Sequence, residues 1–272
     1  MISFVGAGPG AEDLITLRGL ERLKAADVVI WASSLVPISM LSHCAKDPQL
    51  YDSSGMTLED VLKIYDDKQA SSNIVRLHSG DPTIYGAIQE QIQYCKESQY
   101  DFEVVPGVSS LAATAAAVAT ELTVPKISQT IIQTRLANRT QNSMPQSEQL
   151  SNLAASGSTC AIYLSAANPI KLQKELLAPP SLYTKYTPAV VASKVSWPDE
   201  NILLTTVGEL AKTIKSTGQN TTVLVIVGDV LKGEEIARSH LYSPDFAHKF
   251  RKRSNKNSTV GRPTGITPGK LV

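Results

Sequence analysis

Long apolar runs are missing from this sequence. No stretch of eighteen residues is apolar enough to cross a bilayer, so no membrane partner is expected. Cysteine is scarce: Cys44, Cys95 and Cys160 stand far apart, odd in number and in no metal-ligand spacing. That argues against a disulfide framework or a metal site and for ordinary thiols in a reducing compartment. The opening residues, Met1-Ile2-Ser3-Phe4-Val5, lack the basic and apolar regions of a signal peptide, so the expected compartment is the cytoplasm. There is no Ser–His–Asp constellation and no repeat of fixed period. Aromatic residues are only 6% of the 272, and the apolar content is that of a soluble globular protein.

Charge is unevenly spread. Residues 1–231 hold 17 basic and 22 acidic residues, a balance of −5, and residues 232–272 hold 9 and 3, a balance of +6. The acidic body is no nucleic-acid binder by charge. The tail 232–272, with Lys249-Phe250-Arg251-Lys252-Arg253 among Asn, Ser, Thr, Gly and Pro, reads as basic and disordered by composition.

What is present is an alternation of strands and helices. Ile2–Val5, Val28–Trp31, Ile74–Leu77 and Phe102–Val105 read as strands, with helices over Thr16–Ala26, after Pro37, over 57–69, from about Ile84 to Glu97, and over 111–120. Thr16 is a plausible N-cap, and Thr57 with Glu59-Asp60 suits a helix start. Strand patterns resume at Ile127–Thr134, Thr159–Leu164, Ala189–Ala192, Ile202–Thr205 and Val223–Val227, and residues 137–149 read as a polar, mobile loop. This pattern implies α/β units with parallel sheets. Composition divides the chain near residue 115 into units 1–115 and 116–231, with a ligand cleft expected between them.

Three strand ends carry candidate ligand-binding turns: Gly6-Ala7-Gly8-Pro9-Gly10, Ser79-Gly80-Asp81-Pro82 and Pro106-Gly107-Val108-Ser109-Ser110. Acids and glycines just beyond strand ends are where open α/β sheets meet their ligands. On its own, Asp81-Pro82 reads equally as a capped turn. Gly6, Gly8 and Ala11 formally satisfy a loose dinucleotide fingerprint. Pro9 interrupts it, the helix starts only near Thr16, and no acid ends the second strand, so a dinucleotide-binding oxidoreductase is the weaker reading.

Taken together, these motifs resemble the tetrapyrrole methylases, the class III S-adenosylmethionine (SAM) methyltransferases. Ala32-Ser33-Ser34-Leu35-Val36, Leu77-His78-Ser79-Gly80-Asp81-Pro82 with Tyr85-Gly86-Ala87-Ile88, Ser128-Gln129-Thr130 with Thr134-Arg135, and Ser196-Trp197-Pro198-Asp199-Glu200 are most similar to the branch that methylates C-11 of precorrin-4 or cobalt-precorrin-4 in cobalamin biosynthesis. The resemblance covers residues 1–231. It implies two αβα domains with SAM as methyl donor in the cleft between them, a corrin-precursor tetrapyrrole as substrate, and a homodimer. It implies cofactor contacts at Pro9, Ser79, Gly80, Asp81, Tyr85, Ser109, Ser110, Leu164, Ala192 and Thr222; the residues themselves offer no metal constellation, so no metal is expected. Without it, Leu164 and Ala192 would read as core packing. A polycarboxylate substrate calls for basic residues at the cleft mouth: Arg135 first, then Arg139 and Lys194, with Arg76 weaker. His78 reads first as a structural histidine and second as a substrate contact. Other family members, methylating C-2, C-17 or C-20 of the corrin or acting on uroporphyrinogen or diphthine, and a binding-only protein are the remaining alternatives.

Overall fold

The computed structural model describes residues 1–45, 47–137, 144–233 and four later positions (243, 246, 247 and 249). Two five-stranded sheets organise it. The first is built from β1 (Ile2–Gly6), β2 (Val28–Trp31), β3 (Gln49–Asp52), β4 (Ile74–His78) and β5 (Phe102–Val105), in the order β3-β2-β4-β1-β5. Every pairing in it is parallel. β1 and β2 are buried along their whole length, because a parallel sheet covered on both faces makes its central strands continuous apolar runs. On one face lie α1 (Leu17–Lys24) and a short 3-10 helix, Ile38–His43, around Leu23, Ala26 and Met40. On the other lie α2 (Leu58–Lys68) and α3 (Gln89–Glu97), around Phe4, Val61, Tyr65 and Cys95. Leu23, Met40, Phe4 and Val61 each contribute about 1.5–3 kcal/mol by leaving water.

The helix starts follow local chemistry. Thr16 Oγ1 accepts from Gly19 N at 3.1 Å, capping α1. Thr57 and Asp60 close a reciprocal capping box on α2. α3 begins at Gln89, later than the periodicity predicts. Tyr85 and Ala87 adopt left-handed φ values of 56° and 51°, and residues 82–88 form a loop instead of helix. The segment after Pro37 takes only 3-10 form, and β3 is an exposed edge strand that the sequence pattern does not announce.

The second sheet holds β6 (Ile131–Arg135), β7 (Thr159–Tyr163), β8 (Pro188–Ser193), β9 (Asn201–Thr206) and β10 (Val223–Val227), in the order β6-β7-β10-β8-β9. It departs from the expected parallel sheet. Only β6 and β7 are parallel, and β10 runs against both its neighbours, as β9 does against β8. The connection from β8 to β9 has no helix, and antiparallel strands need no crossover. α5 (Leu150–Leu153), α6 (Pro169–Leu177) and α7 (Leu210–Ser216) cover one face. α4 (Ser110–Ala117) packs on the other through Leu111. Residue 115 therefore falls inside a helix that leaves the first sheet and lies against the second. The three cysteines are free. Among the described residues no helix is long and apolar enough to cross a membrane, and no group of His, Cys, Asp or Glu is placed to hold a metal ion.

Candidate active site

Three turns meet at the C-terminal ends of β1, β4 and β5. Gly8 N donates to Gly80 O at 3.3 Å, and Gly80 N donates to Gly8 O at 2.7 Å. Asp81 ties the third turn to them. Its Oδ2 accepts from Gly107 N at 2.9 Å, and its Oδ1 accepts from Thr83 N at 2.8 Å and Thr83 Oγ1 at 2.5 Å. Burial works to raise the Asp81 carboxyl, but these donors together hold it below the usual carboxylate range. The turns are so close that a Cβ on Gly107 would lie 2.1 Å from Gly80 O, and one on Gly6 would lie 2.6 Å from both Gly80 O and Gly107 Cα. Glycine is needed there for backbone-on-backbone packing.

A cavity of about 550 Å³ opens beside these turns, between the two sheets. Its first-sheet wall includes Pro9, His78, Ser79, Gly80, Asp81, Tyr85, Ser109 and Ser110; its second-sheet wall includes Leu164, Ala192, Lys194 and Thr222. Backbone strain gathers here. Of nine non-glycine residues with left-handed φ among the described residues, five line the cavity: Tyr85, Ala87, Leu164, Lys194 and Thr222. Each costs about 1–3 kcal/mol and persists only where surrounding structure enforces it.

Arg135 is not in the wall. It ends β6 in register with Tyr163, which does line the cavity, and its charge is felt at the Tyr85 hydroxyl. Lys194 lines the cavity with its charge already engaged: Nζ lies 2.5 Å from Asp199 Oδ2 and over the Trp197 ring. Arg139 falls outside the described residues. His78 is buried, and burial first, then the charge of Arg76, lowers its pKa to about 3, so it is neutral.

Two residues to which the sequence assigned no role hold the walls together. The Tyr163 hydroxyl donates to Gln133 Oε1 at 3.2 Å and lies 3.2 Å from Ser109 Oγ, which also accepts from Leu111 N to cap α4. Its ring packs against Tyr85 with centroids 5.2 Å apart. Trp197, on the β8–β9 connection, donates from Nε1 to Pro9 O at 3.0 Å, and the adjacent Ser196 Oγ accepts from Ala11 N at 2.9 Å. A Cβ on Gly10 would lie 2.1 Å from the Trp197 ring. The amides of Ala7, Gly8 and Ala11 are thus taken by His78 O, Gly80 O and Ser196 Oγ. A dinucleotide loop would instead present such amides to a pyrophosphate.

The cavity suits a ligand of SAM's size and polarity. Clefts of roughly 300–1,000 Å³ with apolar walls and a few placed polar groups are typical of such sites, and here the hydroxyls of Ser109, Ser110 and Thr222 interrupt a largely apolar wall.

Residues 1–211 match the family model of the Tetrapyrrole (Corrin/Porphyrin) Methylases. The cobalt-precorrin-4 C(11)-methyltransferase of Methanocaldococcus jannaschii is 41% identical over 256 residues, covering 94% of this chain and 97% of that protein. The precorrin-4 C(11)-methyltransferase of Pseudomonas aeruginosa is 38% identical over 252 residues, covering 92% and 98%. The X-ray structure of the cobalt precorrin-4 methyltransferase CbiF superposes with a TM-score of 0.80 at 38% identity, covering 85% of this chain and 95% of that one.

Proposed function

Because the chain belongs to the tetrapyrrole (corrin/porphyrin) methylase family, we propose that it transfers a methyl group from SAM to C-11 of precorrin-4 or cobalt-precorrin-4 in cobalamin biosynthesis. The observation that carries this reading is the likeness to C(11)-methyltransferases along almost the whole chain, metal-free and cobalt-named alike, together with a cavity where the three predicted turns converge.

The chemistry asks little acid–base work of the protein. A sulfonium methyl is already activated, so the site supplies alignment and a dry surround. Asp81 serves by fixing the turns of Gly80 and Gly107, Ser109 and Tyr163 by joining the two walls, and Tyr85 by closing one side. Pro9, Ser79, Gly80, Ser110, Leu164, Ala192 and Thr222 line the space for the donor. Arg135, which ends β6 in register with the cavity-lining Tyr163, takes a substrate carboxylate, since a guanidinium matches that group in a bidentate way. The working form is a homodimer in the cytoplasm, as the family resemblance implies; light scattering reads the mass directly.

Calorimetry with S-adenosylhomocysteine and NAD, followed by turnover with an anaerobically prepared corrin-precursor series, tests the proposal. Binding of adenosylhomocysteine and turnover of the precorrin-4 forms alone supports it. Tight NAD binding without adenosylhomocysteine binding, or preference for an earlier precursor, overturns it.

A further inference from the structure

We propose that the cavity holds a built receptor for one carboxylate of the macrocycle, formed by the Arg76 guanidinium with the His78 imidazole beside it. This rests on the methyltransferase reading above. The two residues are two apart on β4 and so share one face of the sheet. Both line the cavity. Arg76 Nε and His78 Nε2 are each buried and have no hydrogen-bond partner among the described residues. Among the described residues the guanidinium makes one hydrogen bond, from Nη1 to Ile30 O at 3.3 Å.

A guanidinium carries five donors and a fixed charge. Burying it without an anion is costly, and burial here works to lower its pKa. Among the described residues no carboxylate pairs with it. Its one ionisable neighbour of opposite sign, Tyr65, is a buried phenol that donates to Gln91 Oε1 at 2.7 Å; burial raises its pKa, so it stays neutral. His78 adds a polar edge and no second charge. The site is therefore short of one anion, and the planar fork of Arg76 fits a carboxylate.

Its place in the sheet points to the macrocycle over the carboxylate of the methyl donor. Arg76 reaches from β4 towards β2, whereas the turn cluster joins the end of β4 to those of β1 and β5, so the guanidinium leans to the side of β4 away from those two strands. Ala32, just beyond β2, lines the same cavity.

The test compares wild type, Arg76→Met and Arg76→Lys. Adenosylhomocysteine binding is measured by calorimetry, and binding of a polycarboxylated porphyrin and its amidated counterpart by fluorescence. Arg76→Met should bind the carboxylated porphyrin about tenfold or more weakly, the amidated one unchanged, and adenosylhomocysteine within about twofold, with Arg76→Lys between. Should Arg76→Met fail to fold, the Arg Nε NMR signal lost in Arg76→Lys should shift in wild type on adding the carboxylated porphyrin and stay put with adenosylhomocysteine. Equal porphyrin binding by wild type and Arg76→Met, a loss of adenosylhomocysteine binding alone, or a silent Nε signal overturns the receptor. A wild type that binds adenosylhomocysteine and no porphyrin overturns the substrate reading and the receptor with it.

Discussion

Asp81 accepts from the N–H groups of Thr83 and Gly107, so removing its carboxylate leaves two amides of the turns beside the cavity without that acceptor. Asp81→Ala should lose about 1–3 kcal/mol of stability and weaken adenosylhomocysteine binding about tenfold, read by urea melts and calorimetry; unchanged affinity contradicts the role of the tied turns. Gly107→Ala should be worse for folding, by about 3 kcal/mol, because the new methyl meets backbone that cannot yield. His78 makes a prediction about pH. The unfolded chain protonates it near 6.5 and the folded chain only near 3, so its contribution to stability is full above that window and lost as pH falls through it. His78→Gln takes up no such proton, and its stability should fall less steeply between those values, by up to about 1.4 kcal/mol per pH unit. Parallel slopes in urea melts contradict a buried neutral imidazole. The turn acid and the glycines were legible as residues. That Asp81 spends its oxygens on Thr83 and on Gly107, 26 residues away, was not, since a distant partner leaves no local mark.

Among the elements, the β8–β9 connection acts as a clasp. Lys194 and Ser196 take left-handed φ values, and the loop places Ser196 and Trp197 on the Gly-rich turn after β1. Trp197→Phe keeps an aromatic ring, smaller than the indole, and loses the bond to Pro9 O, which should cost about 1 kcal/mol for the bond. Gly10→Ala should displace the ring, so combined with Trp197→Ala its cost should be largely absent. Additive costs in a double-mutant cycle contradict the clasp. The Ser196–Glu200 motif was visible in the sequence, and its contact with Pro9 and Ala11 was not, because the partners are 188 and 185 residues apart. Periodicity located α1, α2 and most strands. It failed where tertiary packing overrides it: in the loop before α3, bent by Tyr85 and Ala87, and in β10, whose direction no side-chain pattern records.

At the scale of the molecule, the cavity takes walls from both sheets, so a ligand there should stabilise them together. Adenosylhomocysteine at a hundredfold excess over its Kd should add about 2.7 kcal/mol, raising one melting transition in calorimetry, with NAD giving no shift; two transitions, only one of them moved, contradict a site shared by both sheets. The product itself shows where the methyl group goes. The enzyme is incubated anaerobically with methyl-labelled SAM and with precorrin-4 or its cobalt form, and the label is located by mass spectrometry and carbon NMR. One labelled methyl on C-11 and an equal yield of adenosylhomocysteine are expected. Label on any other carbon, or none transferred from either form, contradicts C-11 methylation.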